Sequence, residues 1–303
     1  MSRFTARLAD AGYAAGWRFV PKVPKAVAGA VFAGAADLLA RRDRGGVGQL
    51  RANLRRVVPQ ADKAELDDLT RRALRSYARY WHEAFRLPSA DPDELCEHID
   101  LSGAEYLEAA LAEGNGAVVA LPHTGNWDVA GVWAVKNFGS FTTVAERLQP
   151  ESLYQRFVAY RESLGFEVVP ADGSVSFRLL LRRLRENGIV CLVGDRDITR
   201  SGLPVTFFGE DARFPPGPAR LAAATGAALL PVGAWFTDGG WGLRIHPRIR
   251  VTSRHEVPAA TQALADVFQG DIAAHPTDWH MLQRFFSADR DDTDTDEPAA
   301  VAG

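Results

Sequence analysis

The sequence has 303 residues, 47% of them hydrophobic and 24% charged, which is typical of a globular chain that buries a full core and excludes a disordered protein. Its two cysteines, Cys96 and Cys191, are too few for a disulfide framework, so we expect buried thiols in a reducing cytoplasm. The net charge of −3 is uneven, because residues 1–60 carry eleven basic side chains and only three acidic ones. A basic end favours an anionic membrane surface or nucleic acid. No nucleic-acid-binding motif accompanies it, so we expect a membrane surface and no nucleic acid.

Helices are expected near the N-terminal end over residues 4–20, 25–42 and 49–58. The most apolar stretch, 26–40, contains Asp37 and falls short of the roughly 20 residues that a spanning helix needs. No signal peptide is evident. Aromatic and basic side chains on the first helix suit either shallow insertion into an anionic leaflet or packing of a surface helix on the domain, and the pattern leaves both open. We predict that residues 1–60 form a basic helical region that packs on the core and faces the membrane.

Farther along the chain, helical and strand patterns alternate. A long helix is expected over residues 63–86, with most of its aromatic side chains in the core and with Arg79 and Glu83 as an ion pair. Strands are then expected at 117–121, 141–145, 167–170, 189–194, 205–208, 228–236 and 242–251. Helices are expected from 127 and at 151–164, 175–186, 217–225 and 258–274. This alternation predicts an α/β fold with a central, mostly parallel or mixed sheet and helices on both faces, followed by a disordered acidic tail, 288–303.

The most informative stretch is GAVVALPHTGNWDVAGVW, residues 116–133. It predicts a buried strand, a turn loosened by Gly125, and a helix that Asn126 caps. His123 lies in the turn and Asp128 on the first turn of the helix. At this His-x4-Asp spacing the carboxylate could hold one imidazole nitrogen and leave the other to accept a proton, as in a general base. The motif is short, so a loop histidine without a catalytic role is the alternative.

A second group of polar side chains follows the other buried strand. Because ligands bind at the carboxyl ends of strands in open α/β sheets, we expect Asp195 to lie at the same edge as His123. Arg196 and Arg200 provide guanidinium groups that suit a phosphate or pyrophosphate, and Ser201 follows them. A surface network of arginine and aspartate is the alternative.

The blocks PHTGNWD and GDRDITRSG together resemble the lysophospholipid acyltransferase superfamily, within its branch of lipid A lauroyl and myristoyl acyltransferases. The resemblance runs from SYARYWHEAFRLP to WHMLQ and is closest to actinobacterial enzymes that acylate phosphatidylinositol mannoside. It implies a glycerol-3-phosphate acyltransferase-like domain over residues 61–287. The implied reaction is transfer of a fatty acyl chain, expected to be palmitoyl, from acyl-CoA to a mannose hydroxyl of phosphatidylinositol mannoside. A lysophospholipid or another glycolipid as acceptor, or a lipid-binding protein without activity, are the alternatives.

The same resemblance implies roles for individual residues. It marks His123, Asp128 and Asp195 as catalytic, although close relatives are expected to carry Glu in place of the shorter Asp195. It marks four residues as substrate-binding, Arg161, Arg196, Arg200 and Ser201. No nucleophile motif such as Gly-x-Ser-x-Gly is present, so we expect the hydroxyl to attack the thioester directly. Turn amides around Gly125, or donors at the start of the helix near Trp127, are the expected oxyanion ligands.

The remaining expectations concern cofactors and surroundings. We expect no metal, because the seven histidines do not pair at a recognisable ligand spacing, and no cofactor besides acyl-CoA as co-substrate. The resemblance implies a peripheral protein on the cytoplasmic face of the plasma membrane. We expect it to be a monomer.

Overall fold

The computed structural model describes residues 3–42, 45–171, 173–197 and 201–290. Its helices in these ranges are α1 (Arg3–Phe19), α2 (Lys25–Ala40), α3 (Gly46–Val57), α4 (Lys63–Arg86), α5 (Pro92–Glu97), α6 (Ala104–Ala112), α7 (Trp127–Phe138), α8 (Glu151–Ser163), α9 (Ser174–Arg185), α10 (Gly217–Thr225) and α11 (Val257–Ala274). Its strands are β1 (Ile99–Ser102), β2 (Ala117–Leu121), β3 (Thr142–Ala145), β4 (Glu167–Pro170), β5 (Ile189–Val193), β6 (Leu203–Phe207), β7 (Glu210–Phe214), β8 (Ala228–Phe236) and β9 (Trp241–Ile245).

Seven of these strands form one mixed sheet in the order β1-β9-β8-β2-β5-β3-β4. Strand β2 lies in the middle and pairs in parallel with β5 and β8, while β3 and β4 continue the parallel part. Strand β9 runs antiparallel to β8, and β1 is parallel to β9. The predicted α/β fold with a mixed sheet is confirmed.

The central strand shows why helices cover both faces of the sheet. Successive side chains of a strand point to opposite faces. Ala117, Val119 and Leu121 belong to a core formed with α4, α6, α7 and α8. Val118 and Ala120 belong to a second core formed with α9, α10 and α11. Because all five residues of β2 are buried, the strand is an uninterrupted apolar run rather than an alternating one.

The N-terminal helices use their aromatic side chains for packing. Tyr13 and Trp17 of α1 contact the rings of Trp81 and Phe85 on α4, with centroids 5.0 Å apart for Tyr13–Trp81 and 5.4 Å apart for Trp17–Phe85. Through these side chains, α1 packs on α4. Large apolar side chains are instead exposed along α2 and just before it, at Phe19, Val27, Val31, Leu38 and Leu39. None of the helices in the described ranges combines the length and the apolar character that a membrane span requires.

Three parts of the fold differ from the sequence-based expectation. The single strand expected at 205–208 is the first half of a hairpin, β6–β7, whose turn residues Phe208 and Gly209 both have positive φ, 49° and 79°. Such a turn matches the twist of paired strands. The strand expected at 242–251 ends at Ile245. Strand β1 and helices α5 and α6 were not predicted.

The first residues of the predicted disordered tail are folded. Ser287–Asp289 form a short 3-10 helix, and the Asp289 carboxylate accepts hydrogen bonds of 2.7 and 2.8 Å from Arg56. The rest of the predicted disordered tail, 291–303, lies outside the described residues.

Candidate active site

The register of two neighbouring strands brings His123 and Asp195 together. Leu121 at the end of β2 pairs with Val193 at the end of β5. His123 and Asp195 each follow two positions later, so they emerge side by side at the carboxyl edge of the sheet, as predicted. Nδ1 of His123 lies 2.5 Å from Oδ1 of Asp195, and the backbone N–H of His123 donates to Oδ2 at 3.0 Å.

The carboxylate of Asp128 has other partners. Its Oδ2 accepts hydrogen bonds from Tyr80 at 3.0 Å and Tyr160 at 3.2 Å, and its Oδ1 accepts one from Nε of Arg161 at 3.3 Å. No hydrogen bond joins Asp128 to His123 in the described part of the chain. The prediction that Asp128 holds the imidazole is therefore wrong. Helix α7 begins only at Trp127, so Asp128 faces α4 and α8, while β5 ends beside His123.

Electrostatics favour an ionised carboxylate at Asp195. Burial alone would raise the pKa of Asp195, but the charge of His123, its two hydrogen bonds and one from Trp279 outweigh it and lower the pKa. An ionised Asp195 accepts a hydrogen bond, so we assign the imidazole proton to Nδ1. Nε2 of His123 has no hydrogen-bond partner among the described residues, and His123 lines a cavity. This nitrogen is therefore placed to accept a proton from a ligand.

The Asp128 cluster, comprising Asp128, Tyr80, Tyr160 and Arg161, is a buried charged network. Burial raises the pKa of both tyrosines well above the usual value, so both remain protonated hydrogen-bond donors. Burial alone would lower the pKa of Arg161, but the charge of Asp128, its hydrogen bond and the two tyrosines together outweigh it and the pKa rises. The cluster joins the first turn of α7 to α4 and α8, so its hydrogen bonds hold these three helices together.

Asn126 and its partners fix the start of α7. Oδ1 of Asn126 accepts a hydrogen bond of 3.2 Å from the N–H of Val129, which confirms the predicted cap. Its Nδ2 donates to Glu83 at 2.7 Å. Glu83 also accepts a hydrogen bond of 2.7 Å from Nε of Arg79, which confirms the predicted ion pair of α4. Through Glu83, this ion pair is linked to Asn126 at the start of α7.

Gly125 allows the turn to approach β8 closely. Its φ is +56°, and a Cβ atom there would lie 2.8 Å from the backbone of Ala234. The N–H of Gly125 donates to the carbonyl of Asp278 at 3.0 Å. Since this N–H already has a partner, the Gly125 amide does not serve as an oxyanion donor in this structure.

A cavity of about 160 Å³, partly open to solvent, lies between the sheet and α7, and His123 belongs to its lining. Three charged side chains belong to the lining: Glu146 and Arg196, which follow β3 and β5, and Arg161 on α8. The remaining wall is mostly apolar and includes Val119, Leu121, Ala130, Ala134, Cys191 and Val193. The lining of β5 extends from Val193 to Ile189, which at roughly 3.3 Å per residue spans about 13 Å. Cys191 is partly exposed although β5 is an inner strand, since its side chain faces this space.

Comparison with known proteins identifies the family. The model of the family described as bacterial lipid A biosynthesis acyltransferase matches residues 2–288. The chain belongs to this family. A relative named phosphatidylinositol mannoside acyltransferase, from Mycolicibacterium smegmatis, is 55% identical over 288 residues, which cover 94% of each chain. A relative of the same name from Mycobacterium tuberculosis is 52% identical over 292 residues, 95% of this chain and 92% of its own.

In this member of the lipid A biosynthesis acyltransferase family, the predicted substrate-binding residues lie in different places. Arg161 is buried in the Asp128 cluster and lines the cavity, so a solvated helix arginine is excluded. Arg196 lines the same cavity. Ser201 is exposed and is not among the described residues of the lining. Arg200 lies outside the described residues.

Sequence reasoning missed the partners that hold these groups. Tyr80 was interpreted only as a core aromatic residue, and neither Tyr160 nor Trp279 was singled out. Nε1 of Trp279 donates to Oδ2 of Asp195 at 3.3 Å. The one sequence signal was that a polar-tipped aromatic side chain, when buried, usually has a hydrogen-bond partner.

Proposed function

We propose that this acyltransferase transfers a palmitoyl chain from acyl-CoA to a mannose hydroxyl of phosphatidylinositol mannoside, with His123 as general base. One observation carries the proposal: His123, hydrogen-bonded to Asp195, lines a mostly apolar cavity. A base in such a lining lies beside the reactive end of a fatty acyl group bound in the cavity. The acceptor is inferred from the names of the two relatives.

The reaction needs one proton acceptor and no covalent intermediate. Nε2 of His123 takes the proton of the hydroxyl while its oxygen attacks the thioester carbon. The tetrahedral intermediate then collapses, the carbon–sulfur bond breaks, and the imidazolium returns the proton to the CoA sulfur. Asp195 keeps the imidazole oriented and stabilises its charged form. Arg161 and Arg196, the guanidinium groups of the cavity lining, are the proposed partners of the developing oxyanion and of CoA phosphates.

The cavity is the proposed site of the acyl chain. A single leaflet contributes roughly half of a 30 Å hydrocarbon core, which is close to the depth of the β5 lining. The replacement Cys191→Phe would fill the middle of this space. We expect it to abolish transfer of palmitate while leaving transfer of a short acyl chain measurable, in an assay that compares palmitoyl-CoA with hexanoyl-CoA. Equal transfer of palmitate by this variant and the wild type would show that the chain binds elsewhere.

The exposed apolar side chains of α2 are the proposed membrane contact. Val27, Val31 and Leu38 lie on one stripe of the helix and are 53%, 65% and 57% exposed. A helix of this kind, next to basic residues, suits peripheral attachment to an anionic leaflet on the cytoplasmic side. We expect Val31→Glu to weaken flotation with anionic liposomes, whereas Val175→Glu, at a 61% exposed valine of α9, serves as the matched control. If both variants float alike, attachment does not involve α2.

The acceptor is tested by offering labelled palmitoyl-CoA with one lipid at a time. We expect label in purified phosphatidylinositol mannoside, on a mannose ring. Label found only in a lysophospholipid or in a different glycolipid would keep the acyltransfer and replace the acceptor. Absence of transfer to every lipid, with palmitoyl-CoA bound, would contradict the enzymatic function and favour a lipid-binding role.

A further inference from the structure

We propose that Trp279 is a positioning residue that holds Asp195 in place for His123. The inference rests on the proposed function, because it assumes that the His123–Asp195 pair acts as the base. Trp279 supports the pair and belongs to neither side of the His123–Asp195 hydrogen bond. The hydrogen bonds of Asp195 and the packing of the segment around Trp279 are the observations behind the proposal.

The side chain of Asp195 has an unusual set of donors. Oδ1 accepts from Nδ1 of His123 at 2.5 Å, and Oδ2 accepts from the backbone N–H of His123 at 3.0 Å. Both donors therefore belong to the residue that Asp195 is meant to orient. The remaining donor among the described residues is Nε1 of Trp279, 3.3 Å from Oδ2. Among the described residues, this hydrogen bond joins the carboxylate to a part of the protein other than His123.

The same segment also holds the backbone of His123. Thr124 and Trp279 form an antiparallel bridge. The N–H of His280 donates to the carbonyl of His123 at 2.9 Å, and the N–H of Gly125 donates to the carbonyl of Asp278 at 3.0 Å. One short stretch, residues 278–280, therefore sets the position of the imidazole through the backbone and of the carboxylate through the indole. The two groups of the proposed base are fixed relative to a common support.

That support is itself rigid. Trp279 is fully buried, and its ring contacts Phe207 and Phe285 at centroid distances of 6.0 and 5.1 Å. Oγ of Ser76 on α4 lies 2.6 Å from Oδ1 of Asp278 and 2.9 Å from Nε2 of His280. An indole packed in this way has no room to swing, so its N–H has one direction. A fixed donor on a buried carboxylate limits rotation of that carboxylate about its own bond.

The test removes the N–H of Trp279 and keeps the ring. Trp279→Phe should lower kcat about tenfold, the scale of one hydrogen bond to a charged group, while KM for palmitoyl-CoA stays within about twofold. Benzothienylalanine at position 279 places sulfur where the N–H was and keeps the shape, so it should give the same loss even if Trp279→Phe is unstable. Trp235→Phe, at a tryptophan that stacks on His275 outside the pair, is the matched control and should keep wild-type kcat.

A double-mutant cycle separates positioning from general damage. In an Asp195→Ala background, the replacement Trp279→Phe should cause no further loss of kcat, because the group it acts through is gone. An equal loss in both backgrounds would overturn the proposal. Wild-type kcat in the benzothienylalanine protein would also overturn it.

A spectroscopic measurement does not depend on the acyltransfer assay. The Nδ1 proton of His123, held in a short hydrogen bond to Asp195, should give a low-field proton resonance that His123→Ala removes. We expect this resonance to shift or broaden in the benzothienylalanine protein and to be unchanged in Trp235→Phe. If it is unchanged in the benzothienylalanine protein, Trp279 does not position Asp195, whether or not the wild type transfers palmitate.

Discussion

Two buried carboxylates lie close to the same turn and are held in different ways. Asp195 is next to the cavity and receives hydrogen bonds from His123 and Trp279. Asp128 lies five positions after His123 in the chain, yet its partners are two phenols and a guanidinium, Tyr80, Tyr160 and Arg161. The first carboxylate can respond to a proton arriving at the imidazole, whereas the second neutralises a buried cation. The partner of His123 is therefore set by the register of β2 and β5, which places Asp195 beside it, and not by proximity along the chain.

The largest expected effect concerns His123 itself. His123→Ala should abolish palmitate transfer, by a factor of about 10³ or more, because the hydroxyl loses its proton acceptor. The melting temperature should change little, since the side chain lies at a strand end beside the cavity. His255→Ala, at an exposed histidine, is the control and should transfer normally. Transfer by His123→Ala near the wild-type rate would show that His123 is not the general base, so neither carboxylate would have a base to orient.

The second effect tests the structural role of the Asp128 cluster. Asp128→Asn leaves the buried guanidinium of Arg161 without its counter-ion, so we expect the free energy of unfolding to fall by about 3–5 kcal/mol. Urea denaturation measures this loss, with Asp100→Asn on the exposed face of β1 as control. A loss below about 1 kcal/mol would show that the cluster does not stabilise the fold in this way.

The third effect concerns His280, whose backbone N–H donates to the carbonyl of His123. Burial and the charge of His123 lower its pKa from 6.5 to about 3. The folded protein therefore keeps His280 neutral where the unfolded chain binds a proton, so stability is present above pH 6.5 and is lost on acidification. Between pH 7 and pH 5 this contribution is about 2 kcal/mol. Urea denaturation at both pH values should show that His280→Gln loses this part of the pH dependence and that His255→Ala retains it. An unchanged pH dependence in His280→Gln would contradict the buried neutral imidazole.

The smallest effect distinguishes the partners of the two carboxylates. Tyr160→Phe removes one of three donors to Asp128, and we expect a loss of about 1 kcal/mol in the free energy of unfolding. The turnover number should remain close to that of the wild type. Benzothienylalanine at position 279 removes a donor to the other carboxylate but keeps the shape of the side chain, so it should do the reverse, lowering turnover more than stability. Equal effects of the two replacements on turnover would contradict the assignment of a catalytic role to Asp195 and a structural role to Asp128.

Local patterns in the sequence were sufficient to place the main elements around the site. The apolar run of β2 and the cap at Asn126 were predicted at the observed positions, because both signals depend on neighbouring residues. The common edge for His123 and Asp195 was also predicted, from the rule that strand ends carry ligands. These inferences need no knowledge of strand order.

The missed features depend on distant parts of the chain. The choice of Asp195 over Asp128 follows from the pairing of β2 with β5, which no local pattern reveals. The cavity was not predicted because its lining, such as Val119, Cys191 and Ala134, consists of the same residue types as a filled core. The support by Trp279 joins residues 84 positions apart. Short elements such as β1 and α6 carry too few residues for a clear period.

The most direct test of the account compares Asp195→Asn with Asp128→Asn in one assay, with both substrates saturating. We predict that Asp195→Asn keeps its melting temperature and loses turnover by about 10² to 10⁴, as expected when an imidazole loses the carboxylate that fixes its tautomer. Asp128→Asn should lose stability first and, when assayed folded, retain more turnover than Asp195→Asn. Wild-type turnover in Asp195→Asn, together with complete loss in folded Asp128→Asn, would contradict the account and return the role of orienting His123 to Asp128.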